Sequence, residues 1–248
     1  MGDSLLQKFA GGKALRMRRL FRADGRLLLV AMDHAAFMGP AAGLDLPTMC
    51  AVVKAGADAV MTTYGTARRA AAQPGLLGQA ALVLSLDVQA PEPDEQVLNA
   101  VRLGADSVKV LAASGDHAQW TALQRYALSC ERWGMPLQAE VIPGGFDQPE
   151  KHTPHNIASV CRQAAEMGAD YVKTFYTGDA ESMRRVVDGA TVPVIILGGD
   201  RMGDDDSLVS HVREAFSAGV AGLAFGRNIW SHPDPAAMTA RLVEVVHG

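Results

Sequence analysis

Cysteine is nearly absent. Cys50, Cys130 and Cys161 are the only three in 248 residues, and each stands alone in a helix-like segment. No C-x-x-C occurs, so neither a zinc site nor a disulfide framework is indicated. Histidine offers no substitute: His34, His152 and His155 lack metal-ligand spacing, and no metal is expected. Excess positive charge is missing too. The formal net charge is −4, whereas a general nucleic-acid binder carries a basic face. There is also no long apolar run. Lys8, Lys13 and Arg16 near the start are not followed by one, which argues against a signal peptide and a membrane span and makes the cytoplasm the expected compartment. No linker or low-complexity tract interrupts the chain, so residues 1–248 are expected to form one domain, long enough to bury a large core.

Lysine is scarce as well, six in all, and this makes two of them conspicuous. Gly168-Ala169-Asp170-Tyr171-Val172-Lys173-Thr174 reads as a buried strand with a lysine inside it. Burying an ammonium is costly, so a lysine there either snorkels to water or has a task. Gly104-Ala105-Asp106-Ser107-Val108-Lys109-Val110 repeats the frame, with Lys109 as far from Gly104 as Lys173 is from Gly168. Solvated surface lysines have no reason to coincide in this way.

Short apolar runs alternate with helical patterns along the chain. Strands are expected at Leu27–Asp33, Ala59–Thr63, Ala81–Asp87, Ser107–Leu111, Leu137–Ile142, around Lys173, at Val194–Leu197 and at Ala221–Phe225. A basic helix over residues 3–20 precedes them and is expected to cover the barrel bottom or a neighbouring subunit. The Gly-Ala-Asp signal recurs before strands two, four and six, with Gly219-Val220-Ala221 in its place before strand eight. Eight strands with eight helices predict a parallel (β/α)₈ barrel with an N-terminal helical extension; an open doubly wound sheet is the alternative.

Strand parity then sorts the side chains, since successive residues face opposite sides. The inward sets hold Asp33 on strand one, Lys109 on strand four, Glu140 on strand five and Lys173 on strand six, while their outward neighbours are aliphatic. All four lie toward the C-terminal mouth, where barrel active sites form. A lysine attacks a carbonyl only as the neutral amine, and desolvation plus a neighbouring cation would favour that form. The product is a Schiff base, an electron sink for carbon–carbon cleavage. Glu140 would then move the proton of the hydroxyl, with Asp33 assisting. The competing reading is a buried ion-pair set, Asp33–Lys109 and Glu140–Lys173, with no chemistry.

Gly198-Gly199 after strand seven and Gly226-Arg227 after strand eight would present backbone N–H groups and a guanidinium where barrels commonly hold phosphate. Arg201, Arg68 and Arg69 are weaker anion candidates. His34, beside Asp33, is a candidate substrate contact, and Trp230 is expected to pack rather than bind.

The residues Asp33-His34, Gly39-Pro40, Val172-Lys173-Thr174-Phe175-Tyr176-Thr177-Gly178-Asp179, Gly198-Gly199 and Gly226-Arg227-Asn228-Ile229-Trp230 together resemble the class I aldolases of the deoxyribose-phosphate and tagatose-bisphosphate aldolase superfamily. The resemblance runs from strand one to the C-terminus. It is nearest to the archaeal-type fructose-bisphosphate aldolase and aminodideoxyheptulosonate synthase branch. It implies Lys173 as the Schiff-base lysine, Asp33 as a catalytic acid, and phosphate at Gly198, Gly199, Gly226 and Arg227. One departure stands out: that branch has an acid/base Tyr before Pro after strand five, where this chain has Ile142-Pro143. Strand five instead resembles the tagatose-bisphosphate and sulfofructose-phosphate aldolases, which carry a Glu where Glu140 stands and a Lys where Lys109 stands. The expectation is a cofactor-free class I aldolase acting on a phosphorylated ketose and releasing dihydroxyacetone phosphate. It would be a homo-oligomer with no nucleic-acid or membrane partner. A Lys-dependent acyl or ketol transferase and a non-catalytic sugar-phosphate binder are the alternatives.

Overall fold

A computed structural model describes residues 11–73, 76 and 78–248. Eight parallel strands close into a barrel in the order β1 to β8: β1 Leu27–Ala31, β2 Ala59–Thr62, β3 Ala81–Ser85, β4 Ser107–Ala113, β5 Leu137–Ile142, β6 Tyr171–Thr174, β7 Val194–Leu197 and β8 Gly222–Phe225. The helices between them are α2 Ala35–Met38, α3 Leu46–Lys54, α4 Tyr64–Ala71, α5 Pro93–Leu103, α6 His117–Trp133, α7 Pro154–Glu166, α8 Ala180–Ala190 and α9 Asp205–Ser217, followed by α10 Arg227–Trp230 and α11 Pro235–His247. The open doubly wound sheet is therefore excluded. Strands one and three end two residues earlier than expected, so Asp33 lies just beyond β1 on the mouth side. Among the described residues the N-terminal helix, α1, spans Gly11–Leu20; the expected helical residues 3–10 lie outside the described residues. No described helix is long and apolar enough to cross a membrane.

Side-chain parity divides the interior into two layers. Outward residues such as Val108, Val110, Ala139, Val141 and Val172 are buried against the helices. Inward residues such as Leu27, Leu29, Met61, Val83, Tyr171 and Ile195 fill the lumen, and Met17, Leu20 and Phe21 from α1 and its end join that same cluster. Thus α1 closes the barrel bottom rather than standing apart. Each such large apolar side chain removed from water contributes roughly 1.5–3 kcal/mol.

The Gly-Ala-Asp repeat has a physical cause. Each glycine leaves a helix with positive φ, 102° at Gly56, 82° at Gly104 and 100° at Gly168, a conformation that favours glycine. Each alanine is buried, and each aspartate accepts a backbone N–H near the start of the preceding odd-numbered strand. These bonds are Leu28 N–H to Asp58 at 2.6 Å, Leu82 N–H to Asp106 at 3.0 Å and Leu137 N–H to Asp170 at 2.7 Å. The same three carboxylates hold the N-terminal segment. Lys13 reaches Asp170 at 3.0 Å, Arg19 reaches Asp106 at 2.5 Å, and Arg22 pairs with Asp58. One repeat thereby joins neighbouring strands and fastens the bottom closure.

Candidate active site

Four charged side chains meet at the C-terminal end of the lumen. Glu140 and Lys173 are register partners across the β5–β6 ladder, and Lys173 Nζ lies 2.7 Å from Glu140 Oε1. The other carboxylate oxygen, Oε2, is 3.1 Å from Lys109 Nζ. Lys109 in turn stands 3.2 Å from Asp33 Oδ2. Asp33, Lys109, Glu140 and Lys173 are 4%, 3%, 4% and 5% exposed, so water screens these interactions little. Parity had placed all four on the inner face; the ladder register determines that both amines reach one carboxylate.

The electrostatics follow from this alternation of charge. Burial alone would raise the carboxyl of Glu140, but Lys173 and Lys109 outweigh it and hold it below the usual range. Asp33 behaves alike, with Lys109 and Lys173 overcoming its burial. Burial would lower Lys109, yet Glu140 and Asp33 raise it above an ordinary lysine. Both expected ion pairs, Asp33–Lys109 and Glu140–Lys173, are present, and the Glu140–Lys109 contact joins them into one chain. Lys109 is therefore an ammonium held between two carboxylates, and the carboxylate adjacent to Lys173 is Glu140.

His34 connects this chain of charges to the last two loops. Its ring packs so tightly on Gly226 that a methyl group there would come within 2.5 Å of His34 Cε1 and 2.9 Å of the Ala31 carbonyl. Glycine at 226 is thus demanded by close approach as much as by any ligand. Burial, followed by Lys173 and Arg227, lowers the His34 pKa against the opposing pull of Asp33, which keeps the imidazole neutral near pH 7. Its Nδ1 is buried with no hydrogen-bond partner among the described residues, and Asp33 Oδ1 at 3.6 Å is too distant to be one. Trp230 is buried and meets the His34 ring edge-on at 5.5 Å, which is the packing role expected of it.

The two glycine loops are tied together by a residue that strand parity did not single out. Asn228 is 2% exposed. Its amide donates to the Gly198 carbonyl at 3.0 Å and accepts from Met202 N–H at 2.8 Å. Gly199 has φ of 59°, allowing the tight turn after β7. Arg227 opens α10 and pairs with the exposed Asp200 of the neighbouring loop. Arg68 lies over the Tyr64 ring at 6.0 Å and Arg69 donates to Thr66 at 3.1 Å. His152 stacks on Phe175 at 4.4 Å. No group of three or more His, Cys, Asp or Glu side chains among the described residues could hold a metal ion. At the opposite end a cavity of about 750 Å³ is bordered by Arg19, Arg22, Asp58 and Asp106, but its arginines are already engaged by those carboxylates.

Residues 27–232 match the DeoC/LacD family aldolase. The chain belongs to this aldolase family. It is 39% identical to 2-amino-3,7-dideoxy-D-threo-hept-6-ulosonate synthase of Halobacterium salinarum, over 95% of this chain and 92% of that protein. It is 32% identical to 2-amino-4,5-dihydroxy-6-oxo-7-(phosphonooxy)heptanoate synthase of Streptomyces griseus, over 95% and 90% of the two chains. Among solved structures, a Schiff-base-forming fructose-1,6-bisphosphate aldolase superposes with a TM-score of 0.80 at 26% identity, covering 96% of this chain and 100% of the other. This places the protein among the class I aldolases.

Proposed function

We propose that this aldolase makes or breaks a carbon–carbon bond in a phosphorylated ketose through a Schiff base on Lys173, with dihydroxyacetone phosphate as the ketone half. The observation that carries the proposal is the buried Glu140 carboxylate shared between Lys173 and Lys109. Lys173 transfers its proton to Glu140 and attacks the ketone carbonyl. The resulting carbinolamine loses water to leave an iminium. In the cleavage direction Glu140 takes the proton of the hydroxyl borne by the far carbon of the bond that breaks. That bond's electron pair flows into the iminium, an aldehyde departs, and the enamine left behind is protonated and hydrolysed. Lys109 keeps Glu140 ionised between proton transfers, and Asp33 holds Lys109 in place and serves as the second acid. Ile142, fully buried at the end of β5, is a hydrocarbon and takes no part in proton transfer.

The phosphate is assigned to Gly198, Gly199, Gly226 and Arg227, with His34 contacting substrate between phosphate and lysine. The Streptomyces griseus relative supports the ketone half. Its name describes a β-hydroxyketone whose oxo group adjoins the phosphonooxy carbon, the arrangement an aldol reaction of dihydroxyacetone phosphate produces. A cytoplasmic homo-oligomer completes the proposal, and Leu15 on α1 and Leu128 on α6, both exposed, are apolar surface available to such an assembly. The test is borohydride trapping. Reduction in the presence of dihydroxyacetone phosphate should leave a covalent adduct on the peptide bearing Lys173, and Lys173→Ala should give neither adduct nor turnover. An adduct on Lys109 would reverse the two roles.

A further inference from the structure

The two carboxylates are not the whole of what surrounds Lys109. The residue is 3% exposed, with Asp33 at 3.2 Å and Glu140 at 3.1 Å from its Nζ. The same Nζ lies 5.5 Å from the centroid of the Phe37 ring, over its face, inside the range of a cation–π contact.

The local chain explains this placement. A helical turn begins at Asp33: Ala36 N–H donates to the Asp33 carbonyl at 3.1 Å, and Phe37 N–H donates to that of His34 at 2.9 Å. Residues four apart on such a turn share a face, so Asp33 and Phe37 both approach Lys109 from one short segment. The β8 loop braces that segment at both ends. His34 packs on Gly226 and meets Trp230. Gly43, with φ of 82°, lies so close to Trp230 that a methyl group there would run into its carbonyl oxygen.

Core packing does not account for Phe37. It is 72% exposed, and Ala35, Ala36 and Met38 beside it are exposed as well. What the ring faces is an ammonium. The face of an aromatic ring carries negative charge density and attracts a cation, more strongly where the cation is withdrawn from water. An aliphatic side chain of similar bulk would cover Lys109 without attracting it.

We propose that Phe37 is a positioning residue for the Schiff-base reaction: its ring holds the Lys109 ammonium against Glu140 and so keeps that carboxylate aimed at Lys173. Asp33 and Glu140 draw Lys109 along the line between them, and the ring limits its movement toward the mouth. The inference rests on the aldolase reading above and goes beyond it by giving the β1 loop a part in the chemistry.

The experiment uses dihydroxyacetone phosphate alone, in D₂O, so that no aldehyde enters. Once the iminium has formed, a proton leaves the adjacent hydroxymethyl carbon and the C–H electron pair flows into the C=N bond. A solvent deuteron takes its place when the enamine is reprotonated. Proton NMR follows this exchange, giving a maximal rate and a half-saturating concentration. Phe37→Leu should lower the maximal rate about fivefold, the scale of a cation–π contact, with the half-saturating concentration changed less than about twofold. Phe37→Trp, which keeps an aromatic face, should retain the rate of the wild-type protein. Replacing Phe37 by 4-fluoro-, 3,5-difluoro- and 3,4,5-trifluorophenylalanine should lower the rate stepwise, because fluorine withdraws charge from the ring face while leaving its shape and apolarity nearly intact. Phe37 is exposed, so none of these changes threatens folding, and borohydride trapping at Lys173 checks that each variant keeps its site. A flat fluorine series, or an unchanged rate in Phe37→Leu, would overturn the role of the ring. So would a raised half-saturating concentration at an unchanged maximal rate, which would make Phe37 a substrate contact. Neither exchange nor a borohydride adduct in the wild-type protein would instead overturn the aldolase reading, and the role of Phe37 with it.

Discussion

Glu140 faces Lys173 directly across the β5–β6 ladder and holds its amine at 2.7 Å through one carboxylate oxygen, while the other oxygen holds Lys109 at 3.1 Å. A single side chain is thus both the carboxylate nearest Lys173, the proposed nucleophile, and the counter-charge of the Lys109 ammonium. The consequences of its removal separate these functions.

Glu140→Gln keeps the shape and hydrogen-bonding reach of the side chain but cannot exchange protons. The adduct on Lys173 should still form under borohydride, whereas cleavage should slow by roughly a hundredfold or more, the usual size of an acid/base contribution. Ile142→Tyr offers a proton-transferring group on the same strand; added to Glu140→Gln it should restore little, because Ile142 is fully buried and the site is not shaped around a tyrosine there. Single-turnover rates for adduct formation and cleavage measure both effects. Full activity in Glu140→Gln would remove Glu140 from the chemistry.

Arg227 and Asp200 make opposite predictions. Arg227→Ala should raise KM for the phosphorylated substrate far more than it lowers kcat, since phosphate is bound equally in ground and transition states, at a cost of about 2 kcal/mol for one charge-assisted contact. The Asp200 carboxylate pairs with Arg227 in this structure and would compete with a phosphate bound at the proposed site. Asp200→Asn should therefore lower KM. Steady-state kinetics at fixed ionic strength decides the matter, and an unchanged KM in both variants would place the phosphate elsewhere.

His247 predicts a pH dependence of stability. It ends α11, with Nδ1 2.6 Å from Asp24 and Nε2 2.9 Å from Asp58. Burial lowers its pKa, but hydrogen bonds to Asp58 and Asp24 outweigh this and raise it above 6.5, against a smaller opposing effect of Arg22. A raised folded pKa means that the protonated form stabilises the fold. That stabilisation is complete below pH 6.5 and is lost as pH rises through the elevated value. The melting temperature should thus fall in the wild-type protein as pH rises from 6.5 through that elevated value. His247→Gln should flatten this portion of the profile in thermal melts, and an equal slope in both proteins would contradict the assignment.

How much of this was legible in the chain depends on how local each feature is. Alternation along a strand is covalent geometry, so parity alone put Asp33, Lys109, Glu140 and Lys173 on the inner face. The Gly-Ala-Asp repeat and the spacing of apolar runs are likewise local, and they indicated eight β/α units. The ends of β1 and β3 were less legible, because Met32, Asp33, Leu86 and Asp87 continue the apolar alternation after the ladder has stopped.

What only the tertiary structure decided are the partnerships between segments distant in sequence. Which carboxylate serves which lysine depends on the register of β4, β5 and β6, and register is a property of paired strands, which no one of them displays alone. Hence Lys109 proved to be held by two carboxylates, Glu140 as well as the expected Asp33. The same holds at the barrel bottom. The basic N-terminal helix was expected at the barrel bottom or on a neighbouring subunit, and only the fold brought Lys13 and Arg19 of α1, and Arg22 just beyond it, to the three repeat aspartates. It holds again at the mouth, where Phe37 and Phe146, 109 residues apart in sequence, stand on the same end of the barrel because parallel strands deliver every βα loop to one face.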